Sequence, residues 1–133
     1  MTSGRILWLL SSSLALTACG GGGGGGSSTP AVVQVTNTAP TISDPGGLSL
    51  LEGGLSVATI SASDAQNNSL SFSIASGDDE DLFSITTGGA LSFATAPDFE
   101  APADSDTDNV YDVTVQVSDG SLTDTQALTI TVT

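Results

Sequence analysis

The groups in this chain that could do chemistry are carboxylates. Asp98 and Glu100 stand two residues apart. Asp104, Asp106 and Asp108 alternate just beyond them, and Asp78-Asp79-Glu80-Asp81 form an unbroken acidic run. Isolated acids occur at Glu52, Asp64 and Asp119. Such groups can transfer protons, attack a sugar as a pair, or hold a hard cation through oxygen. Acid–base and nucleophilic catalysis are poorly supplied, because the chain has no His and its only basic side chain is Arg5. Serines and threonines therefore lack a basic partner, and there is no lysine to form a Schiff base. An Asp98/Glu100 glycosidase pair would need a sugar cleft, and acids so close in sequence read better as metal ligands. The sequence argues against an enzyme, and nothing in it points to a small-molecule substrate.

The alternating acids from Asp104 resemble the start of an EF-hand loop. Its glycine is replaced by Asn109 and its closing glutamate by Val115. The segment therefore reads as a solvated loop. Asp78 to Asp81 read as a solvated turn, and Asp112 and Asp124 as water-facing strand residues.

All 15 carboxylates follow Cys19, whereas Arg5 precedes it. Beyond Cys19 no internal salt bridge can form, and nucleic acid or anionic headgroups are repelled. Two carboxylates about 5 Å apart at an effective dielectric of about 20 repel by about 3 kcal/mol. Clustered acids must then protonate, spread apart or take up a cation.

The elements that position these acids are strands. Apolar residues alternate with Ser, Thr and Gln in Leu70–Ile74, Tyr111–Val117 and Leu128–Val132. Weaker runs cover 41–50, 57–62, 83–86 and 90–94. Gly53-Gly54, Gly88-Gly89 and Asp119-Gly120 supply turns between them. No segment carries a helical apolar stripe. Seven short strands in this length predict an all-β, seven-stranded Greek-key sandwich of the immunoglobulin-like kind. Its expected core is Ile60, Phe72, Ile74, Phe83, Ile85, Leu91, Phe93, Tyr111, Val113, Val115, Val117, Leu128, Ile130 and Val132.

Residues 1–18 read as an export signal: Arg5, then an apolar stretch too short to span a bilayer, then small residues. Leu16-Thr17-Ala18-Cys19 resembles the lipobox of bacterial lipoproteins, which implies lipid attachment at Cys19 and export to the outer membrane or cell surface. Acylation also gives the lone thiol a use. Residues 19–38, with glycines at 20–26, form a flexible tether about 25 Å across on average. Residues 39–133 form the domain.

Asn37-Thr38-Ala39-Pro40, Leu51-Glu52, Ser61-Ala62-Ser63-Asp64, Phe83-Ser84-Ile85, Gly88-Gly89-Ala90-Leu91, Pro97-Asp98-Phe99-Glu100 and Tyr111 to Gly120 appear in this order. Together they resemble a cadherin-type repeat, particularly those of bacterial surface proteins. The resemblance implies a cadherin-type sandwich that binds Ca²⁺ at junctions between domains. It places ligands at Glu52, Asp98 and Glu100 on one rim, and at Asp64 and Asp119 on the other. Gln66 stands where the family has a second Asp, the Asp-rich linker is represented only by Asn37, and Thr133 falls where a linker to a further repeat would begin.

Strand parity supports the same grouping. Each strand runs pole to pole, so Glu52, Asp98 and Glu100 share one pole with most of the acids, 10 of the 15. Asp64 and Asp119 share the other pole with Asn37, where the chain enters. The implied function is a surface-anchored, calcium-dependent module for cell adhesion or protein recognition, homophilic or heterophilic. A structural spacer stiffened by Ca²⁺ is the alternative. A carbohydrate-binding sandwich is a weaker one, since only Phe99 is a candidate aromatic platform.

Overall fold

Period-two patterning becomes two long strands at the centre of the structure, a computed structural model that describes residues 30–133. The export signal, Cys19 and the glycine run lie outside the described residues. Residues 30–34 are exposed and carry no regular structure. Val35–Thr133 form one unit.

The elements are β1 (Thr41–Ile42), β2 (Leu48–Leu50), β3 (Ser56–Thr59), β4 (Ala62–Ser63), β5 (Ser71–Ser76), β6 (Phe83–Ile85), β7 (Ala90–Phe93), β8 (Val110–Ser118) and β9 (Thr123–Val132). One 3₁₀ turn, Glu80–Leu82, precedes β6, and no α-helix occurs among the described residues. One sheet has the order β2-β9-β8-β5 and a second the order β3-β7-β6, while β1 pairs with β4. Neighbouring strands are antiparallel except β2 on β9, which run parallel from Leu48↔Ile130 to Leu50↔Val132.

The fold is the expected all-β sandwich, with the first two strands each broken in two. The 41–50 run splits at Pro45 and Gly46. Proline has no amide to give a ladder, and Gly46 takes φ +74°. The Gly46 amide donates to Asp44 Oδ1 at 2.9 Å, which closes the turn. β1 thereby pairs with β4 while β2 crosses to the opposite sheet. The 57–62 run breaks at Ile60-Ser61. There the Ile60 amide donates to the Gly89 carbonyl (2.8 Å), and the Ser61 carbonyl accepts from Ser43 (2.9 Å).

Alternate residues of β8 and β9 build the core: Tyr111, Val113, Val115, Val117, Leu128, Ile130 and Val132 are buried, with Ile60, Phe83, Leu91 and Phe93 from the facing elements. Ile42 joins them. Phe72, Ile74 and Ile85 pack against this core but are only half-buried. They lie on β5 and β6, which are edge strands and lack a flanking neighbour. Phe83, Phe93 and Tyr111 form an aromatic cluster, with Phe93 edge-on to Tyr111 at 5.0 Å between centroids. Such pairs contribute about 0.5–1.5 kcal/mol beyond their buried area. The Tyr111 hydroxyl accepts a hydrogen bond from the Ala103 amide at 3.3 Å, so the core also holds the long β7–β8 connection.

Candidate metal centre

Glu52 lies in the β2–β3 turn, and Asp98 and Glu100 in the β7–β8 connection. Two hydrogen bonds join the segments, one of them through the Glu52 side chain. The Gly53 amide donates to the Pro97 carbonyl at 2.8 Å, and the Phe99 amide to Glu52 Oε2 at 3.1 Å. An Asx turn, with the Glu100 amide donating to Asp98 Oδ1 at 3.0 Å, sets Asp98 beside Glu100. One carboxylate oxygen from each of the three residues lies within 4.8 Å of the others. They border an open cleft of about 410 Å³, lined also by Gly53 and Pro97.

The three acids are exposed, and no basic residue lies within the described part of the chain. Glu52 pushes the Glu100 carboxyl above its ordinary range. A hydrogen bond between the two raises it first, and repulsion between the charges adds to this. A proton relieves that crowding, and so does a cation. Ca²⁺ takes six to eight oxygen ligands, including carboxylates and backbone carbonyls, so this donor set fits part of its shell.

Asp64 and Asp119 reach the opposite pole, where the chain enters. Asp64 Oδ1 accepts from the amides of Gln66 and Asn68, both at 2.9 Å, while its Oδ2 is enclosed without a partner. Asp119 Oδ1 accepts from the amides of Ser121 and Leu122, both at 2.7 Å, and Oδ2 from Asn37 Nδ2 at 2.7 Å. Those donors, the Leu122 amide first, hold the Asp119 carboxyl below its usual range. Asn68 Nδ2 donates in turn to Asn37 Oδ1 at 2.8 Å. The link from Asp64 to Asp119 thus runs through two asparagines. Gln66 Oε1 accepts from the Thr38 amide (3.2 Å) and hydroxyl (3.0 Å), which secures the incoming segment.

Four acids behave differently from the sequence reading. Asp79 belongs to no solvated turn: it is only 5 % exposed and accepts from the Ser105 amide through Oδ1 (2.8 Å) and the Asp112 amide through Oδ2 (2.9 Å). Asp104, expected in a solvated loop, is 4 % exposed. Asp112 and Asp124 do more than face water: Asp112 Oδ1 accepts from the Thr129 hydroxyl (2.8 Å), and Asp124 Oδ2 from the Ile42 amide (2.9 Å). Each burial or bond is made with residues distant in sequence, or with a loop whose path sequence does not set.

Two packed sheets in this order, with acids gathered at the poles, define a cadherin-like β-sandwich. Solved structures with the same fold include human protocadherin-24 EC1-2 (23 % identity, TM-score 0.57, covering 74 % of this chain and 44 % of that one). The Drosophila N-cadherin EC1-3 structure is similar at 24 % identity and TM-score 0.60, covering 73 % of this chain and 34 % of that one. The chain spans less than half the length of these structures. No protein-family model matches it, and no curated protein matches it either.

Proposed function

We propose that this domain is a calcium-dependent adhesion or protein-recognition module, exported and held at a bacterial cell surface by lipid on Cys19. The observation that carries the reading is the convergence of Glu52, Asp98 and Glu100 within 4.8 Å at one pole of a cadherin-like sandwich. Three carboxylates without a counter-charge form a partial shell for Ca²⁺, which a neighbouring domain or partner completes. Exposed Leu51 and Phe99 flank the acids and give such a partner apolar surface. The pole faces away from the entry of the chain at Asn37. Asp64 and Asp119 serve a second ion on the entry side.

A calcium titration of the purified protein with thermal unfolding tests the metal. Extracellular modules bind Ca²⁺ at roughly 10⁻⁴–10⁻³ M. At about 10 mM Ca²⁺ this raises the melting temperature by about 6–20 °C for a domain of this size. Asp98→Asn or Glu100→Gln lowers the gain by the part that the outer cleft contributes. An unchanged melting temperature refutes calcium binding. Calcium-dependent clustering of protein-coated beads supports adhesion, whereas stabilisation without clustering identifies a spacer.

A further inference from the structure

Asp104 is a buried carboxylate with only part of its hydrogen bonding satisfied. Its Oδ2 accepts from the Asp108 amide at 2.7 Å, while its Oδ1 is enclosed by protein without a partner. Asp79 shows what a settled buried carboxylate looks like in this fold, with both oxygens taking backbone amides. No Lys, Arg or His lies within the described residues to neutralise Asp104. The Tyr111 hydroxyl and the Asp106 carboxyl lie close to Asp104, but neither carries positive charge, and burying a charge without a counter-charge is strongly unfavourable.

The exposed carboxylates of Asp106 and Asp108 lie beside it. One oxygen from each of the three residues falls within 4.8 Å of the others. The Asn109 side-chain oxygen, on the same segment, is also enclosed without a partner. All the donors are hard oxygens, with no thiol or imidazole among them, which suits Ca²⁺ over zinc or copper.

We propose that Asp104, Asp106 and Asp108 hold a Ca²⁺ ion inside the β7–β8 connection, in a site that one domain supplies alone. The site is separate from the Glu52/Asp98/Glu100 cleft and needs no neighbouring domain. It secures the connection that covers Tyr111 and carries Asp98 and Glu100.

Terbium emission excited through tyrosine tests this in the full chain. The Trp8→Phe background leaves Tyr111 as the only sensitiser, since the chain has one Trp and one Tyr. Tyr111 accepts from Ala103, the residue preceding Asp104, so an ion in the loop lies close to the phenol. Sensitised emission is expected to persist in Glu52→Gln/Glu100→Gln and to be displaced by Ca²⁺. Asp106→Asn/Asp108→Asn is expected to weaken it at least about tenfold, because removing ligand charge lowers affinity. Calorimetric titration is expected to count one Ca²⁺ fewer in that variant. Both its substitutions are exposed, and unchanged circular dichroism establishes that it folds. Emission and stoichiometry unaltered by Asp106→Asn/Asp108→Asn overturn the proposal. So does emission lost with Glu52→Gln/Glu100→Gln alone, which assigns the ion to the outer cleft. Absence of any ion in the latter variant overturns it as well. Failure of the outer cleft instead appears as unchanged calcium binding when Glu52 and Glu100 are replaced.

Discussion

Replacing Asp79 is expected to damage the domain far more than its place in an acidic run suggests. Its two carboxylate oxygens accept from Ser105, in the β7–β8 connection, and Asp112, in β8. The side chain therefore fastens the long connection to the central sheet. Asp79→Ala leaves two amide donors without acceptors. Each buried orphan costs about 1–3 kcal/mol. Ser105 is exposed enough for water to replace part of its bond, whereas Asp112 is locked in the ladder with β9. The net loss is then about 2–4 kcal/mol. Asp79→Asn keeps one acceptor but turns an NH₂ group toward an amide donor, and costs about 1–3 kcal/mol. The assay is equilibrium urea unfolding, in which the midpoint falls while the slope stays constant. Asp78→Asn, an exposed neighbour, serves as the reference and changes stability by less than about 0.5 kcal/mol. If Asp79→Ala behaves like Asp78→Asn, the carboxylate does not hold these amides and the argument fails.

Gly89→Ala is expected to destabilise by about 1–3 kcal/mol, since Gly89 holds φ +90° and an added Cβ would collide with the Ile60 carbonyl; urea unfolding decides it. The two perturbed carboxylates give opposite pH dependences. Asp119, held below its ordinary 3.8, contributes stability that is complete above that value and lost as pH falls through its depressed folded pKa. Asn37→Ala removes a donor and raises the Asp119 titration measured by NMR; no movement would exclude that hydrogen bond in solution. Glu100 is held above its ordinary 4.5, so its contribution is complete below that value and lost as pH rises through its raised folded pKa. Glu52→Gln is expected to return Glu100 towards 4.5, and a Glu100 that stays raised in that variant rules out Glu52 as the cause.

Much of the architecture is written in alternation. Tyr111–Val117 and Leu128–Val132 place every second residue in the core, and this alone defines the two central strands. The meeting of Glu52, Asp98 and Glu100 follows from strand parity, because an even number of pole-to-pole crossings returns the chain to the same end. Edge status is different. Phe72, Ile74 and Ile85 share the pattern of core residues, yet their strands lack a flanking neighbour, and pattern carries no information on sheet order. The break in the first strand did have a signal, since Asp44-Pro45-Gly46-Gly47 combines a missing amide with two flexible residues. Asp79 and Asp104 had none. Four acids in a row and acids at alternate positions are the usual composition of wetted loops. Their burial depends on amides and enclosing groups that only the folded connection brings near.

The two ends of the sandwich solve the same electrostatic problem by different means. At the entry pole most of the acid oxygens are matched by amide chemistry: Asp119 takes donors from Asn37, Ser121 and Leu122, Gln66 grips Thr38, and only Asp64 Oδ2 is left without a partner. Those bonds are short-ranged and need no ion. At the other pole Glu52, Asp98 and Glu100 crowd together, and Asp104 is buried beside Asp106 and Asp108. Monovalent salt screens such charges only over distances of about 8 Å at physiological strength, longer than the spacing inside either cluster. It therefore cannot relieve the repulsion within them. A bound divalent ion can, because it sits between the oxygens and enters the coordination shell itself. Both clusters hang on the same β7–β8 connection, which Asp79 and Tyr111 fasten to the core. If the proposed ions bind, they relieve the crowding at the pole that carries Glu52, Asp98 and Glu100, whereas the bonds of Asn37, Gln66 and Asp119 order the pole at Asn37 through protein donors.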